Sequence, residues 1–295
     1  FQQSLTYKEK YATKAQDTVL AETYIADTYS WVASSHLNQG DIKSATVSIS
    51  KAVAILNSLL QQSPNNAAIV EAYTYTLVRQ TEIMQLSGNY SAALEILTKA
   101  HDILAIALRQ DPNNSAWKTD EIKISAMLLT LSTNDEVSIE QRVIAEHERS
   151  VRKYLVEKPE SIMFQLHYIG YLQNAGKWQA SSEALDALLS LPSAGNLLDP
   201  QTIYTSNNEQ VINLHIALIR QASEPNMENS NALHCKSLLS YSNELIKVSA
   251  KPNYYIAYAY AAQCLALYDD LQQTLKKIND MDAVFPSFLH HNKST

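Results

Sequence analysis

Glycine and proline are both scarce in this chain, with five Gly and eight Pro among 295 residues. Few positions therefore suit tight turns, and most of the backbone is expected to run in long regular elements. The stretches between these residues are rich in Ala, Leu, Gln, Glu and Lys, which lose little side-chain freedom in a helix. With 46% hydrophobic and 18% charged residues, the composition is typical of a globular chain and does not favour disorder. Together with the helix-favouring stretches it predicts an all-α fold.

An excess of positive charge and long apolar runs are also missing. Lys and Arg number 23 against 30 Asp and Glu, for a net charge of −7, whereas a protein that follows a nucleic-acid backbone needs a basic stripe. No stretch approaches roughly 18 uninterrupted apolar residues, so no membrane-spanning helix is expected. Because the sequence begins at Phe1 and not at a methionine, we expect it to be a piece of a longer protein, in which any signal peptide or anchor would lie upstream.

Cysteine occurs only twice, at Cys235 and Cys264. Both lie in predicted helices on either side of a turn near Lys251 and Pro252, so an antiparallel hairpin would bring them level. The sequence leaves two alternatives open, a disulfide or two buried free thiols.

What the chain does contain is an internal repeat. The stretch from Gly40 to Ala68 returns as Gly88 to Ala116, 48 residues later and without a gap. Self-similarity at such a period is typical of a helical solenoid. The identical pairs are Gly40/Gly88, Ala45/Ala93, Lys51/Lys99, Ala52/Ala100, Ile55/Ile103, Leu56/Leu104, Leu60/Leu108, Gln62/Gln110, Pro64/Pro112, Asn65/Asn113, Asn66/Asn114 and Ala68/Ala116.

Each repeated part of the pattern has a mechanical role. Gly40 and Gly88 are placed where one helix ends and the next begins, a position that favours positive φ. The alanines recur seven residues apart on one helix face, which lets a neighbouring helix approach closely. Pro64 and Pro112 end the second helix of each unit, because the residue before a proline is disfavoured in the α region.

Carrying this frame along the chain predicts about six helical hairpins in a single solenoid over residues 1–295. The best repeats are expected at 18–62, 67–110, 115–157 and 161–190, with degenerate hairpins over 200–278, and loops at 191–200 and 223–231. The expected helices span residues 18–37, 41–61, 67–86, 90–109, 115–131, 138–157, 161–174, 178–189, 200–221, 230–248, 253–268 and 270–278.

The pattern of Gly88, Tyr90, Ala93, Leu97 and Ala100, followed by the sequence DPNN, resembles the tetratricopeptide repeat. Pro112 follows Ala100 by twelve residues, about two helical turns more than in the usual repeat of that family. The longer unit is similar to repeats joined to bacterial eukaryotic-type serine/threonine kinases and to some membrane-bound transcriptional regulators. The resemblance implies a right-handed α-α superhelix that acts as a sensor or scaffold.

In the tetratricopeptide family, the first helix of each hairpin lines a concave ligand groove. The resemblance therefore implies a groove for a protein or peptide. This groove lacks the basic carboxylate clamp of chaperone-binding members. The alternative is that the residues of the implied groove are simply the polar faces of amphipathic helices. The implied groove residues are Asp27, Ser30, Ser34, Tyr75, Val78, Glu82, Gln85, Lys123, Ala126 and Thr130.

Motifs for catalysis and metal binding are missing from the sequence. It has no Gly-rich phosphate loop, no kinase catalytic loop and no G-x-S-x-G elbow, and His147-Glu148 has no second His one turn later. We therefore predict no enzyme activity, no cofactor and no metal site, with His290 and His291 as an adventitious metal pair at most. The tyrosine runs Tyr73/Tyr75 and Tyr254/Tyr255/Tyr258/Tyr260 suit either recognition or packing between helices.

The predicted function is that of a non-catalytic protein- or peptide-binding sensor domain of a membrane-anchored bacterial signalling protein. An extracytoplasmic position is favoured, with a cytoplasmic one as the alternative. The runner-up function is self-association through end-to-end stacking of terminal helices. The sequence alone names neither the partner nor the oligomeric state.

Overall fold

The computed structural model describes Gln3, residues 6–8, Lys10 and residues 18–197, 208–222 and 231–284. Every regular element in these ranges is an α-helix, which confirms the all-α prediction. In chain order the helices are α1 (Thr18–Asn38), α2 (Ile42–Gln62), α3 (Ala67–Leu86), α4 (Tyr90–Gln110), α5 (Ser115–Leu131), α6 (Gln141–Glu157), α7 (Ile162–Asn174), α8 (Trp178–Leu189), α9 (Pro192–Leu197), α10 (Asn208–Ala222), α11 (Asn231–Val248), α12 (Pro252–Cys264) and α13 (Tyr268–Asp280).

Most helix ends lie within a turn of their predicted positions, but two predictions are wrong. The loop expected over 191–200 contains α9, because Pro192 fits the first turn of a helix and Ala194 and Leu197 are buried. The helix expected over 253–268 ends at Cys264, and its successor begins at Tyr268. The start expected at residue 200, most of the loop expected over 223–231 and the histidines at 290 and 291 lie outside the described residues.

The repeat is preserved in the turns between helices. Gly40 and Gly88 have φ angles of 76° and 75°, as their predicted role requires. The next side chain caps the following helix in both copies, since Asp41 accepts a hydrogen bond from the Ser44 N–H and Asn89 accepts one from the Ala92 N–H. The two segments therefore have the same local conformation.

The same turn occurs twice more, at Gly176 and at Ala266, with φ angles of 69° and 55°. In each copy the following N–H donates to the carbonyl five residues earlier, from Lys177 to Leu172 and from Leu267 to Ala262. This is the 6→1 bond that closes a helix with a left-handed residue. Ala266 stands where the other copies have glycine, so the sequence gives no sign of this turn.

The alanine stripe of the repeat is buried in both copies. Ala45 and Ala52 on α2 and Ala93 and Ala100 on α4 are each 0% exposed. Further apolar side chains on the same faces are buried at equivalent positions of the two helices: Ile49/Leu97, Leu56/Leu104 and Leu59/Ala107. Their burial supplies much of the apolar stabilisation of these hairpins.

The chain divides into two compact units. Unit 1 comprises residues 1–124 with 281–283, and in it α1 packs on α2, α2 on α3, and α3 on α4. Unit 2 comprises residues 125–280 with 284–295, and in it α10 to α13 pack consecutively while α7 packs on α8 and α10. Apart from α5, which is divided between the two units, successive helices are therefore spatial neighbours in each unit. The single solenoid over 1–295 stays a prediction.

Three substitutions separate the effect of backbone conformation at these turns from that of packing. An added Cβ meets no atom within 4 Å at either Gly170 or Gly176, so only the backbone distinguishes the two sites. Gly176→Ala should lower the free energy of unfolding by about 1 kcal/mol, because an L-residue resists positive φ. Gly170→Ala, inside α7, should raise it by about 0.5–1 kcal/mol.

Ala266→Gly is expected to raise the free energy of unfolding by about 0.5 kcal/mol, because the relief of positive φ is partly offset by a more flexible unfolded chain. Urea unfolding followed by circular dichroism measures all three variants. A loss of stability in Gly170→Ala equal to that in Gly176→Ala would show that the turn conformation is not the cause.

Candidate functional site

Helices α1 and α3 of unit 1 touch each other and carry most of the predicted groove residues. On each helix the accessible side chains are spaced by four and then by three residues, so they lie on one face. Each accessible residue of α3 lies 48 positions after its counterpart on α1, so the repeat produces the same face twice. We call this the α1–α3 face, and its exposed or half-buried members are Asp27, Trp31 and Ser34 on α1, with Tyr75, Arg79 and Glu82 on α3.

Arg79 connects the two helices. Its Nη2 donates a hydrogen bond to the Ser34 Oγ, and Ser34 in turn donates to the Ser30 carbonyl at 3.0 Å. The guanidinium carbon lies 5.7 Å from the centroid of the Tyr75 ring, which places a cation over an aromatic face. Arg79 therefore holds Tyr75 and Ser34 in fixed positions on adjacent helices.

Large aromatic side chains stay accessible on these helices. Trp31 and Tyr75 are each 49% exposed, and Tyr24, two turns before Trp31, is 48% exposed. Lys8 lies over the Tyr24 ring at 5.6 Å and donates to the Thr28 hydroxyl at 2.8 Å. Aromatic residues with a half-exposed surface are enriched in recognition sites, because they bury a large area at little cost in side-chain entropy.

The remaining predicted groove residues are placed differently. Ser30 and Val78 are both buried, each at 4% exposure, so neither side chain belongs to the accessible face. Gln85 is half-buried at the end of α3. Lys123 and Thr130 are also half-buried but belong to different units, and Ala126 is buried.

Trp31 and Arg79 are members of the face that the sequence reasoning missed. The prediction advances from Asp27 to Ser30 and from Tyr75 to Val78, taking three residues as one turn where the accessible face advances by four. With 3.6 residues per turn both steps are compatible with a helix. The 48-residue offset between Trp31 and Arg79 is the signal that could have found them.

The first tyrosine run divides between packing and exposure. Tyr73 is 0% exposed, and its hydroxyl donates to the Asn57 Oδ1 at 3.0 Å, to which the Lys99 ammonium also donates at 3.1 Å. Tyr73 is therefore a core residue that links α2, α3 and α4. Tyr75 is the member of the pair that faces outward.

A polar cluster in unit 2 surrounds Glu148, on α6. Its carboxylate accepts hydrogen bonds from Lys177 at 2.8 Å, Tyr171 at 2.9 Å and Tyr168 at 3.3 Å. Burial opposes the charged form, but these donors outweigh it and lower the pKa of Glu148 below its usual value. Burial and the nearby carboxylate raise the pKa of Tyr168 to about 12. The donors lie on α7 and in the turn before α8, so these hydrogen bonds connect α6 to α7 and to the start of α8.

Two further properties bear on the kind of site. Within the described ranges, no helix is long and apolar enough to cross a membrane. In the same ranges no three or more His, Cys, Asp or Glu side chains are grouped so as to hold a metal ion. His147 is buried and its Nδ1 lies 3.0 Å from the Ser125 Oγ.

Comparisons with known proteins add no closer identification. No protein-family model matches the chain, and no curated protein has a similar sequence.

Proposed function

We propose that this chain is a non-catalytic module that binds a protein or peptide segment on the α1–α3 face. The observation that carries the proposal is the repeated register, which exposes Asp27, Trp31 and Ser34 and then Tyr75, Arg79 and Glu82 at equivalent positions. Two half-exposed aromatic rings, two carboxylates and a positioned guanidinium offer both apolar and polar contacts. An extended or helical segment would lie across the two helices.

We also propose that the hairpins are of the tetratricopeptide type. Support comes from the four left-handed turns at Gly40, Gly88, Gly176 and Ala266, from the buried alanine stripes and from the packing of consecutive helices in each unit. A sensor role in a membrane-anchored bacterial signalling protein remains part of the proposal. The disulfide between Cys235 and Cys264 supports an extracytoplasmic position, because such bonds persist in oxidising compartments.

Selection from a phage-displayed library of random peptides tests the binding surface. Peptides enriched on the wild-type chain should lose at least about tenfold in affinity for a Trp31→Ala/Tyr75→Ala variant, because both rings are expected to be buried on binding. Fluorescence anisotropy with the selected peptides measures the affinities.

Tyr268→Ala is the matched control, because Tyr268 is 69% exposed and lies on α13 in unit 2. This variant should bind the selected peptides as the wild type does. Equal affinities of the wild type and the Trp31→Ala/Tyr75→Ala variant would refute the proposed surface, provided circular dichroism shows that the variant is folded.

A further inference from the structure

A cleft of about 440 Å³ lies in unit 2 between α11, α12 and α13, far along the sequence from the α1–α3 face. Its volume is within the range of roughly 300–1,000 Å³ typical of small-ligand sites. Asn243 and Ile246 of α11 line one side, Tyr255 and Tyr258 of α12 lie between, and the polar face of α13 lines the other side.

The second tyrosine run explains why α12 contributes to this cleft. Tyr254 and Tyr260 pack against the hydrophobic core of unit 2, whereas Tyr255 and Tyr258 line the cleft. Packing between helices therefore accounts for two of the four tyrosines. The other two place aromatic rings where the fold does not require them.

The polar side chains around the cleft are available to a ligand. Within the part of the chain that the structure describes, their polar atoms make no hydrogen bond and no ion pair with one another or with other residues. Such unused donors and acceptors, converging on one concavity beside two rings, offer polar contacts that can orient a ligand. The residues concerned are Asn243, Tyr255, Tyr258, Asp270, Gln273, Lys276, Lys277 and Asp280.

The charges along α13 are separated by sign. Asp270 lies at the start of the helix and near Tyr258, whose pKa is raised by burial and by the Asp270 carboxylate. Lys276 and Lys277 come two turns later, and the rise of 1.5 Å per residue places Lys277 about 10 Å along the helix from Asp270. A carboxylate beside an aromatic ring suits an ammonium group, and the lysines suit a carboxylate.

We propose that this cleft binds a short peptide of about three residues in an extended conformation, with its terminal ammonium at Asp270 and its terminal carboxylate at Lys276 and Lys277. An extended chain spans about 3.3–3.6 Å per residue, so three residues match the separation of the charges. The Asn243 and Gln273 amides flank the peptide and are suited to bond its backbone groups. Asp280 lies one turn beyond Lys277 and disfavours a longer peptide by repelling its carboxylate.

The disulfide between Cys235 on α11 and Cys264 on α12 holds together two of the three helices that form the cleft. A binding site whose walls are fixed before binding loses less conformational freedom when the ligand enters. The cleft is therefore expected to exist in the free chain.

Titration of the isotope-labelled chain with trialanine, followed by NMR, tests the proposal. Trialanine should shift amide signals within residues 243–280, and dialanine and pentaalanine should bind more weakly. N-acetylation or C-amidation should each weaken binding by about twofold to fivefold, because partly exposed ion pairs contribute modestly.

Variants identify which end of the peptide each charge recognises. Asp270→Asn should remove the difference between trialanine and its N-acetyl form, while Asp269→Asn, a neighbouring carboxylate on the same helix that does not line the cleft, should preserve that difference. Lys276→Gln/Lys277→Gln should remove the difference between trialanine and its amide.

Equal binding of the free and terminally blocked peptides would overturn the proposal. So would the absence of shifts with trialanine at about 10 mM, a concentration that detects even very weak binding. Shifts produced by neutral maltotriose and not by trialanine would also overturn it, because they would indicate a saccharide site.

Discussion

Replacing Cys235 and Cys264 together with alanine is expected to lower the free energy of unfolding of unit 2 by about 3.5 kcal/mol. The two cysteines are 29 residues apart and joined by a disulfide, with their Cα atoms 6.2 Å apart. The bond closes a loop of this length in the unfolded chain, and the chain-entropy relation assigns such a loop a stabilisation of about 3–4 kcal/mol. Cys235 is also 0% exposed, so its replacement leaves a small cavity.

Urea unfolding can separate the stability of unit 2 from that of unit 1. Trp178 is the one tryptophan in unit 2, while Trp31 and Trp117 lie in unit 1, so a variant that keeps Trp178 alone reports on unit 2 by fluorescence. The cysteine variant should shift that transition to lower urea, and the reduced wild type should shift to a similar midpoint. An unchanged midpoint in both would mean that the disulfide does not constrain the unfolded chain.

Local signals in the sequence explain why most helices could be predicted. Gly40, Gly88 and Gly176 end their helices with positive φ, and a glycine in the sequence indicates that such a conformation is allowed. Ala266 adopts it too, but alanine gives no such sign, and the predicted helix therefore runs through the turn to residue 268. The turn is stabilised by its surroundings and not by the intrinsic preference of its residue.

The short helix α9 shows the limit of composition as a guide. The segment from Leu191 to Pro200 contains Pro, Ser, Gly and Asn, which favour a loop. Ala194 and Leu197 nevertheless belong to the buried core of unit 2, and their spacing of three residues places both on one helix face. Tertiary burial overcomes local propensity, and no property of the segment alone reveals its neighbours.

The candidate site could be predicted in part. Asp27, Ser34, Tyr75 and Glu82 could be placed on one accessible face because the helices and the repeat follow from the sequence. Ser30 and Val78 could not be assigned correctly, since a helix lets both three- and four-residue steps share a face. The choice depends on where the adjacent helix packs, which is a property of the tertiary structure.

The cleft in unit 2 could not be predicted from the sequence, because it also depends on how the helices pack. The run from Tyr254 to Tyr260 is visible in the sequence, yet periodicity alone does not tell which rings pack and which remain accessible. Asn243, Gln273 and Lys277 lie on helices before and after that run, and only the packing of α11 and α13 against α12 brings them to one place.

Leu56→Ala and Leu104→Ala should each lower the free energy of unfolding of unit 1 by about 2–4 kcal/mol, and by similar amounts. These leucines lie 48 residues apart at equivalent positions of α2 and α4 and are 1% and 0% exposed. Removing a buried isobutyl group loses its transfer free energy and leaves a cavity that the neighbouring helices fill only partly. Similar losses are expected because each leucine lies one turn after a buried alanine of the repeat, Ala52 or Ala100.

Ile106→Ala is the matched control, because Ile106 lies two residues beyond Leu104 on the same helix and is 51% exposed. Its replacement should cost under about 1 kcal/mol, since most of the side chain is already in water. Urea unfolding by circular dichroism measures the three variants side by side. A loss of stability for Leu104→Ala no larger than that for Ile106→Ala would contradict the buried stripe. Both hairpins depend on that stripe, and so does the α1–α3 face that they support.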